Sequence, residues 1–334
     1  MKVFELQGGF GIENLALADR PEPKPGPGQA LVQMKAWSLN YRDLMVVRGT
    51  YAPNIRFPFV TLSDGAGEIV AVGEAVSRVK VGDRVAGTFM QKWIEGPVSE
   101  AKANSALGAA IPGLAAEYVA LDAQGLVPVP EHLSYEEAAT LPCAAVTAWN
   151  ALVTSGKLNA GDTVLVQGTG GVSLFALQFA RMLGARVIAT SSSDAKLARV
   201  KELGASDGIN YKTTPEWGTR ALDLAGGVGV DHVVEVGGAG TLAQSLRSIR
   251  MGGRISLIGV LTGGQTDPIP IIMKSVSLQG IFVGSREMFE TMNRAIALNG
   301  LRPVIDQVFP FAEYPEALRL MESGAHFGKI VLAA

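Results

Sequence analysis

A glycine-rich turn is the stretch of this sequence with the clearest chemical meaning. Glycines in such a turn let the backbone approach a pyrophosphate, and the helix that follows offers it free N–H groups and the positive end of its dipole. The third glycine of the G-x-G-x-x-G fingerprint is replaced by Ser173, so the prediction depends on the flanking elements. The predicted pyrophosphate-binding residues are Gly168, Gly170, Gly171 and Val172.

The elements around this turn have the order of a βαβ unit. Residues 163–167 form a β-branched apolar run typical of a buried parallel strand. Residues 172–183 carry apolar side chains at helical spacing, and residues 186–190 form a second β-branched run. This arrangement holds a dinucleotide. The alternatives are a doubly wound domain that binds nothing or one that binds another phosphorylated ligand. No GxxxxGK[ST] pattern occurs, which excludes a P-loop.

The residues after the second strand indicate NADPH rather than NADH. An NAD-specific site usually places an acidic residue about twenty positions beyond the first glycine, whereas this chain has a run of hydroxyl residues there. Hydroxyl groups and a cation donate hydrogen bonds and positive charge to a 2′-phosphate. The alternatives are a helix N-cap for Ser193 and a solvated helix residue for Lys196. The predicted 2′-phosphate site comprises Ser191, Ser192, Ser193, Lys196 and Tyr211.

Length and composition indicate a compact α/β protein with two domains. The chain has 334 residues, of which 48% are hydrophobic and 18% charged, and this length exceeds one ordinary core. A net charge of −2 without a basic cluster argues against nucleic-acid partners and an anionic membrane surface. We recognise no signal peptide and no apolar run of transmembrane length, and Cys143 is the only cysteine. The expected location is therefore the cytoplasm.

The texture of the chain changes twice. Residues 1–122 contain short strands separated by Pro- and Gly-rich turns, which is typical of a small irregular β-barrel. Residues 123–282 begin with a long predicted helix from Ser134 to about residue 154 and continue as alternating strands and helices. Residues 283–334 do not extend that sheet neatly and are predicted to return to the first domain. The predicted fold is thus a β-barrel catalytic domain with an inserted Rossmann domain.

Short motifs follow one another along the whole chain. They are Pro23–Gly28, Ser38–Asp43, Asp64–Gly67, Val70–Gly73, Val81–Val85, Ala138–Pro142, Thr147–Trp149, the Gly168 turn, Glu202–Ala205, Gly252–Arg254 and Gly328–Val331. In this order and spacing they resemble the medium-chain dehydrogenase/reductase superfamily and, within it, the zinc-free quinone oxidoreductase-like branch. The resemblance implies a GroES-like barrel beside a Rossmann domain, with the active site in the cleft between them.

The positions that hold catalytic zinc in this superfamily decide the chemistry. Zinc needs three protein ligands from Cys, His and acidic residues, and residues 1–122 contain neither Cys nor His. Asn40 stands where zinc relatives have the cysteine of Cys-x-x-Asp, and Leu62-Ser63-Asp64 replaces Gly-His-Glu. Cys143 resembles the place of the third ligand, and one soft ligand does not hold zinc. We therefore predict no metal.

Without a Lewis acid, oxidation of a simple alcohol is disfavoured. Hydride transfer from NADPH to a quinone, an enone or an enal needs less assistance, because the carbonyl of the acceptor delocalises the incoming charge. Asn40 is the main candidate to orient or polarise that carbonyl. Tyr51 resembles a tyrosine that enoyl-reductase relatives place near the substrate, where a phenol donates a hydrogen bond or a proton. Tyr41 and Asp43 are weaker catalytic candidates, Asp43 through orientation of its loop.

The resemblance also extends the predicted cofactor site. Thr147 resembles the helix threonine that meets the nicotinamide end, and Gly259 with Val260 resembles the loop that binds its carboxamide. The other predicted cofactor-binding residues are Gly237, Val283 and Lys329.

Two other functions remain open at this stage. One is alcohol or aldehyde dehydrogenase activity on the same scaffold, and the other is a non-catalytic NADPH-binding role. The partner in the leading interpretation is a small-molecule substrate. A homodimer formed by sheet extension at a Rossmann edge, residues 254–264, is also expected.

Overall fold

The computed structural model describes residues 1–259 and 261–334. The described strands are β1 (Lys2–Leu6), β2 (Leu15–Asp19), β3 (Gln29–Ser38), β4 (Phe59–Val60), β5 (Asp64–Val72), β6 (Arg84–Gly87), β7 (Tyr118–Asp122), β8 (Leu126–Pro128), β9 (Thr163–Gln167), β10 (Arg186–Ser191), β11 (Asp207–Asn210), β12 (Val230–Glu235), β13 (Ile249–Leu257), β14 (Ser277–Gly280), β15 (Ile305–Pro310) and β16 (Lys329–Ala333).

Helices alternate with these strands, most regularly in the middle of the chain. The described α-helices are α1 (Tyr41–Val47), α2 (Glu100–Ala103), α3 (Tyr135–Ala139), α4 (Val146–Trp149), α5 (Gly171–Met182), α6 (Asp194–Glu202), α7 (Trp217–Leu224), α8 (Ala239–Ser248), α9 (Ile269–Met273), α10 (Arg286–Asn299) and α11 (Tyr314–Ser323). Among the described residues, no helix combines the length and the apolar character that a membrane span requires.

The chain divides into two compact units, residues 1–146 with 284–334 and residues 147–283. The sequence placed the first boundary after residue 122. In the structure, residues 123–146 belong with the first unit because β8 pairs with β6 and because the backbone N–H of Cys143 donates to Asp64 of β5. The return of the last segment to the first unit agrees with the predicted insertion.

The first unit, which we call the barrel unit, is built from two sheets. β1 lies between β2 and β4 in a three-stranded sheet, and a larger sheet has the order β15-β16-β3-β5-β6-β8, with β7 paired to β3. β3 is the centre, because its ten residues pair antiparallel with β5, β7 and β16. Trp37 of β3 is fully buried and stacks on Phe311 with ring centroids 4.1 Å apart.

The second unit, which we call the Rossmann unit, has a six-stranded parallel sheet in the order β11-β10-β9-β12-β13-β14. The strand order reverses between β9 and β12, which makes the carboxyl ends of these two strands the topological switch point. Leu165, Ile188 and Val233 are fully buried in its core, as the β-branched apolar runs predicted. The predicted α/β fold with a parallel Rossmann sheet is confirmed.

Two local predictions need correction. The predicted continuous helix from Ser134 begins with the expected capping box between Ser134 and Glu137, but residues 141–145 and 150–154 widen to π-helix. The predicted sheet edge at residues 254–264 is also wrong, because β13 lies between β12 and β14 and the edge strand is β14. Short β14 was not recognisable as a strand in the sequence.

Candidate functional site

The glycine turn lies at the switch point of the Rossmann unit. β9 ends at Gln167 and α5 begins at Gly171, and Gly168 has a φ of +70°, which favours glycine. A Cβ added to Gly168 or Gly170 would meet no atom within 4 Å, so the backbone there borders open space. Val172 lies in the first turn of α5. An open backbone turn at a helix N-terminus suits a pyrophosphate.

Ser173, which replaces the third glycine of the fingerprint, makes a hydrogen bond to the end of β9. Its side chain is buried and its hydroxyl donates to the carbonyl oxygen of Gln167 at 2.6 Å. The hydroxyl thus ties the first turn of α5 to the end of β9, a close helix–strand contact that the third glycine provides in the full fingerprint.

The hydroxyl run follows β10 directly. Ser191 is the last residue of β10, and its Oγ accepts from the backbone N–H of Ser193 at 3.3 Å. Ser193 caps α6, because its Oγ accepts from the backbone N–H of Lys196 at 3.4 Å. Asp194, the nearest acidic residue, accepts from Asn210 Nδ2 at 2.8 Å and lies on the exposed first turn of α6. The strand end itself therefore carries hydroxyls and no carboxylate.

The remaining predicted cofactor residues are distributed over both units. Ser192 is half-buried and Tyr211, just after β11, is exposed. Thr147 is buried at the start of the Rossmann unit, and Val283 at its end accepts from Asn150 Nδ2 at 2.7 Å through its carbonyl. Val260 lies outside the described residues.

Two glycines follow strands next to the switch point. Gly237 follows β12 and Gly259 follows β13, and a Cβ on Gly259 would lie 1.6 Å from the carbonyl oxygen of Val236. Only glycine therefore lets these two loops pack together.

The barrel unit brings together the three places predicted to correspond to zinc ligands, at Asn40, residues 62–64 and Cys143. Asn40 Nδ2 donates to Ser63 Oγ at 3.3 Å, and Ser63 Oγ donates to Asp64 Oδ1 at 2.9 Å. The backbone N–H of Cys143 donates to Asp64 Oδ2 at 2.9 Å. We call Asn40, Ser63, Asp64, Cys143 and Lys329 the barrel cluster.

Lys329 completes the barrel cluster with a positive charge. β16 pairs antiparallel with β3, which brings its first residue next to the segment that follows β3. Lys329 is 3% exposed, and its Nζ donates to Leu39 O and to Asn40 Oδ1, both at 2.6 Å. The structure therefore places this predicted cofactor residue beside Asn40 in the barrel unit.

Burial controls the electrostatics of the barrel cluster. Burial raises the pKa of Asp64, opposed by the charge of Lys329 and by hydrogen bonds from Asn40, Cys143 and Ser63. Burial lowers the pKa of Lys329, opposed by attraction to Asp64 and to further acidic groups. Burial also raises the pKa of the Cys143 thiol, helped by the nearby Asp64. Burial therefore favours the protonated thiol, and the attraction between Asp64 and Lys329 offsets part of the cost of burying a charge on either group.

This network fixes the orientation of the Asn40 amide. An ammonium group only donates hydrogen bonds, so the amide oxygen must point toward Lys329. The NH2 group then lies on the side of Ser63, at a distance long for an N–H···O bond. The Asn40 side chain is therefore a positioned donor, and its oxygen is already engaged.

The other predicted catalytic residues surround Asn40 in helix α1 and the loop after it. Asn40 caps α1 in a capping box with Asp43, whose Oδ2 accepts from the Asn40 N–H at 2.8 Å. Arg42 lies 3.6 Å from Asp43 Oδ1 and covers the Tyr51 ring, 5.1 Å from its centroid. Tyr41 and Tyr51 are exposed, so Asp43 is the only one of these candidates that is fully buried.

Asp43 gives a pH-dependent prediction. Burial, opposed chiefly by Arg42, raises its pKa from 3.8 to about 6. Between about pH 4 and about pH 6 the folded state holds a proton that the unfolded state has lost, so the free energy of unfolding falls as pH rises, by an amount on the order of 3 kcal/mol. Asp43→Asn should remove this decline, as measured by urea unfolding across that range.

Asp83→Asn is the control for this series. The backbone N–H of Lys80 lowers the pKa of Asp83 below its usual value, so its stabilisation is lost only below that window. Parallel pH curves for wild type and Asp43→Asn would contradict a proton on Asp43.

The barrel cluster fits a catalytic zinc ion poorly. Its donors are an amide, a hydroxyl, a single thiol and one carboxylate, whereas a catalytic zinc site takes three ligands from thiolate, imidazole and carboxylate groups. Lys329 adds an ammonium group that repels a dication. In the part of the chain that the structure describes, no group of three or more His, Cys, Asp or Glu residues is arranged for a metal ion.

Sequence reasoning did not connect Lys329 with Asn40. The sequence gives Lys329 as a predicted cofactor-binding residue within the Gly328–Val331 motif. The contact arises from the pairing of β16 with β3, which brings together residues 289 positions apart and leaves no local signal in the sequence. Ser63 was noted only as part of a replaced motif.

Two family models match the chain. The model described as alcohol dehydrogenase GroES-like domain matches residues 26–131, and the model described as zinc-binding dehydrogenase matches residues 171–297. A zinc-type alcohol dehydrogenase-like protein of Schizosaccharomyces pombe is 47% identical over 317 residues, which cover 92% of each chain. A quinone oxidoreductase of Rattus norvegicus is 29% identical, covering 99% of this chain and 96% of its own.

Solved structures match over the full length. A putative alcohol dehydrogenase from Sinorhizobium meliloti 1021 has a TM-score of 0.93 at 44% identity, covering 100% of this chain and 99% of its own. A structure described as an NAD-dependent alcohol dehydrogenase has a TM-score of 0.92 at 35% identity, with both chains fully covered. A mycobacterial protein solved in complex with NADPH has a TM-score of 0.84 at 30% identity, again covering both chains fully.

The fold, the matched models and these relatives agree with the motifs that first indicated a family. Relatives described as alcohol dehydrogenases and as quinone oxidoreductases both match nearly the whole chain. The chain therefore belongs to the medium-chain dehydrogenase/reductase superfamily of oxidoreductases, whose nicotinamide cofactor suits the open glycine turn of its Rossmann unit.

Proposed function

We propose that this protein is an NADPH-dependent reductase that transfers hydride to a quinone or an α,β-unsaturated carbonyl without catalytic zinc. The observation that carries the proposal is the barrel cluster, in which the amide of Asn40 and the hydroxyl of Ser63 stand at two positions predicted to correspond to metal ligands, and the ammonium group of Lys329 binds the amide. Such a cluster offers a hydrogen-bond donor to an acceptor oxygen and no Lewis acid. An electrophilic acceptor needs only the hydrogen-bond donor.

The Rossmann unit supplies the cofactor site in this proposal. The backbone of Gly168, Gly170, Gly171 and Val172 holds the pyrophosphate, and Ser191, Ser192, Ser193, Lys196 and Tyr211 surround the 2′-phosphate. The absence of an acidic residue at the end of β10 supports NADPH, since a carboxylate there would repel the phosphate. When bound, the nicotinamide supplies the hydride.

Thr147, Gly237, Gly259, Val260 and Val283 are the proposed contacts toward the nicotinamide end. The mycobacterial structure with NADPH supports this cofactor, whereas the structure named as an NAD-dependent enzyme leaves the preference to be tested.

Asn40 binds the acceptor oxygen in this proposal. Its oxygen is held by Lys329, so its NH2 group, which faces Ser63 and Asp64, is the donor that remains for a substrate carbonyl. A positioned donor stabilises the negative charge that develops on that oxygen during hydride transfer. Asp43 and Arg42 hold the start of α1, while Tyr41 and Tyr51 lie exposed next to it and are the proposed substrate contacts.

Alcohol dehydrogenase activity is the second candidate, because several similar proteins carry that name. It requires a group that accepts the alcohol proton and stabilises the alkoxide. The barrel cluster offers a cation that donates to Asn40, a thiol whose pKa is raised by burial, and the Asp64 carboxyl group, which already accepts from Ser63 and from the Cys143 N–H.

The test is a panel of acceptors with the purified wild-type protein. NADPH oxidation is followed with 1,4-benzoquinone, 9,10-phenanthrenequinone, an enal, an enone and a plain aldehyde, with NADH in parallel, and an alcohol is tried with NADP+. Turnover of quinones or enones with NADPH is expected. Turnover confined to the aldehyde and the alcohol would favour the second candidate, and NADPH binding without any turnover would indicate a non-catalytic role.

Lys196→Ala should separate the two cofactors. Loss of a cation near a 2′-phosphate is expected to raise the KM for NADPH about tenfold or more and to leave the KM for NADH within about twofold. Lys201→Ala, at the other end of the same helix, is the control and should leave both values unchanged. Equal effects of Lys196→Ala on both cofactors would refute the 2′-phosphate assignment.

We also propose a homodimer through the outer edge of the Rossmann sheet. β14 is the edge strand, and Ile269, Ile272 and Met273 expose large apolar side chains on the preceding helix. An unpaired edge strand beside exposed apolar residues favours pairing with a second copy. Light scattering at several concentrations would detect the dimer, and a monomer throughout would exclude it.

A further inference from the structure

The Rossmann unit contains a buried carboxyl group, that of Glu235, which belongs to neither the proposed pyrophosphate site nor the proposed 2′-phosphate site. Glu235 is the last residue of β12, and its side chain is fully buried. Oε1 accepts from the backbone N–H groups of Gly237 and Gly238, at 2.8 and 3.1 Å, and from Thr241 Oγ1 at 2.6 Å. The loop after β12 and the first turn of α8 therefore fold around this one oxygen.

The other carboxyl oxygen reaches the neighbouring strand. Oε2 accepts from Gln167 Nε2 at 2.6 Å and from the hydroxyl of Ser245 on α8. Gln167 is the last residue of β9, directly before Gly168, and its own Oε1 accepts from the N–H groups of Val236 and Gly237 at 3.2 and 3.3 Å. Glu235 and Gln167 thus join the glycine turn after β9 to the loop after β12.

The same loop is held from its other side by the segment after β13. Thr262 donates to the carbonyl oxygen of Gly237 through its N–H at 2.9 Å and through its Oγ1 at 2.8 Å. Gly238, with a φ of +95°, forms a bridge with Thr262. The backbone of this loop is therefore held by hydrogen bonds to both Glu235 and Thr262, at the switch point where α/β sheets bind their ligands.

The hydrogen-bond partners of Glu235 all require an acceptor at this position. A carboxylate accepts hydrogen bonds, and each partner named for Glu235 is a donor. A carboxamide of the same shape would bring its NH2 group against donors. The loop position therefore depends on the charge type of this side chain as well as on its size.

We propose that Glu235 is a positioning residue for the dinucleotide site, which sets the relative position of the Gly168 turn and the residue 236–238 loop. The inference rests on the proposed function, since it assumes that these two loops border the cofactor. Glu235 acts indirectly. It fixes the position of the glycine turn through its hydrogen bond with Gln167, and the position of the segment at Thr262 through its hydrogen bond with Gly237.

The test compares Glu235→Gln with the wild type by titration with NADPH and with NADH, read by fluorescence well below the unfolding temperature. We expect the Kd for both dinucleotides to rise about tenfold or more, because small displacements of binding groups are costly. The KM for the acceptor at saturating NADPH should change by less than about twofold, a split that general loss of stability would not produce.

Asp231→Asn is the matched control, because Asp231 belongs to the same strand at its opposite end. Its carboxylate accepts from the Thr163 N–H at 2.7 Å and from Arg250 Nε at 2.5 Å, so the variant should lose stability and keep its dinucleotide Kd. Thr241→Val and Ser245→Ala each remove one donor to Glu235 and should give smaller increases in Kd, which preserves the test if Glu235→Gln does not fold.

The outcomes separate the two proposals. Unchanged dinucleotide affinity in Glu235→Gln, Thr241→Val and Ser245→Ala, with wild type binding normally, would overturn the role of Glu235 alone. Wild type that binds neither NADPH nor NADH would overturn the proposed function and this inference together.

Discussion

Asn40→Ala is expected to lower kcat for quinone or enone reduction by about 10²–10³-fold, the loss typical of removing one donor to a developing oxyanion. The Kd for NADPH should stay within about twofold, because the cofactor contacts proposed here belong to the Rossmann unit. The reason for the large effect is preorganisation. Lys329 holds the amide oxygen at 2.6 Å, so the NH2 group is oriented before any substrate arrives.

Asn293→Ala is the matched control for this variant. Asn293 and Asn40 are both 8% exposed in the barrel unit, and Asn293 Nδ2 donates to the Pro128 carbonyl at 3.0 Å. Asn293→Ala should cost stability and leave kcat near the wild-type value. Stopped-flow reduction with saturating NADPH measures both variants. A wild-type kcat in Asn40→Ala would remove Asn40 from the chemistry and leave it as the cap of α1.

The Rossmann unit could be predicted from the sequence because its signals are local. A β-branched run, a glycine turn and a helical apolar stripe each span a few residues, and the structure places β9, the turn and α5 as these signals indicated. The sheet edge was missed because β14 has four residues, three of them exposed, and no apolar alternation. The sequence pattern predicts a continuous helix after Ser134, but residues 141–145 are π-helical in the structure. This departure depends on tertiary contacts such as the hydrogen bond from the Cys143 N–H to Asp64, which the sequence pattern does not encode.

The barrel cluster shows the limit of the same reasoning. The replaced ligand positions were visible one at a time as Asn40, Ser63 and Cys143, because each lies in a short motif. Their convergence on Asp64 depends on strand pairing and on a helix that returns to β5, which no local pattern encodes. The ammonium group of Lys329 reaches them from the last strand of the chain. Contacts of this kind follow from topology and have to be read from the structure.

Lys329→Met is expected to lower the free energy of unfolding by about 3–5 kcal/mol, the usual cost of leaving a buried charge without its partner. Lys329 is the ammonium group whose charge counters the burial of Asp64, and it also satisfies the Leu39 carbonyl. Methionine fills similar volume and donates nothing. Lys80→Met is the control, since Lys80 is exposed and its ion pair with Asp83 should contribute less than about 1 kcal/mol.

The double variant Lys329→Met/Asp64→Asn tests whether charge, and not packing, is the cause. A neutral amide at residue 64 no longer needs a compensating cation, so the double variant should recover much of the stability lost by Lys329→Met.

Burial already raises the pKa of Asp64, and removal of Lys329 should raise it further. The single variant should then bind a proton in its folded state that the unfolded state releases, and its deficit should be smaller at about pH 5 than at about pH 8. Urea unfolding of the wild type, Lys329→Met, Asp64→Asn and the double variant at both pH values measures the coupling between the two residues. Additive losses with no dependence on pH would mean that Lys329 stabilises the barrel unit through its hydrogen bonds alone.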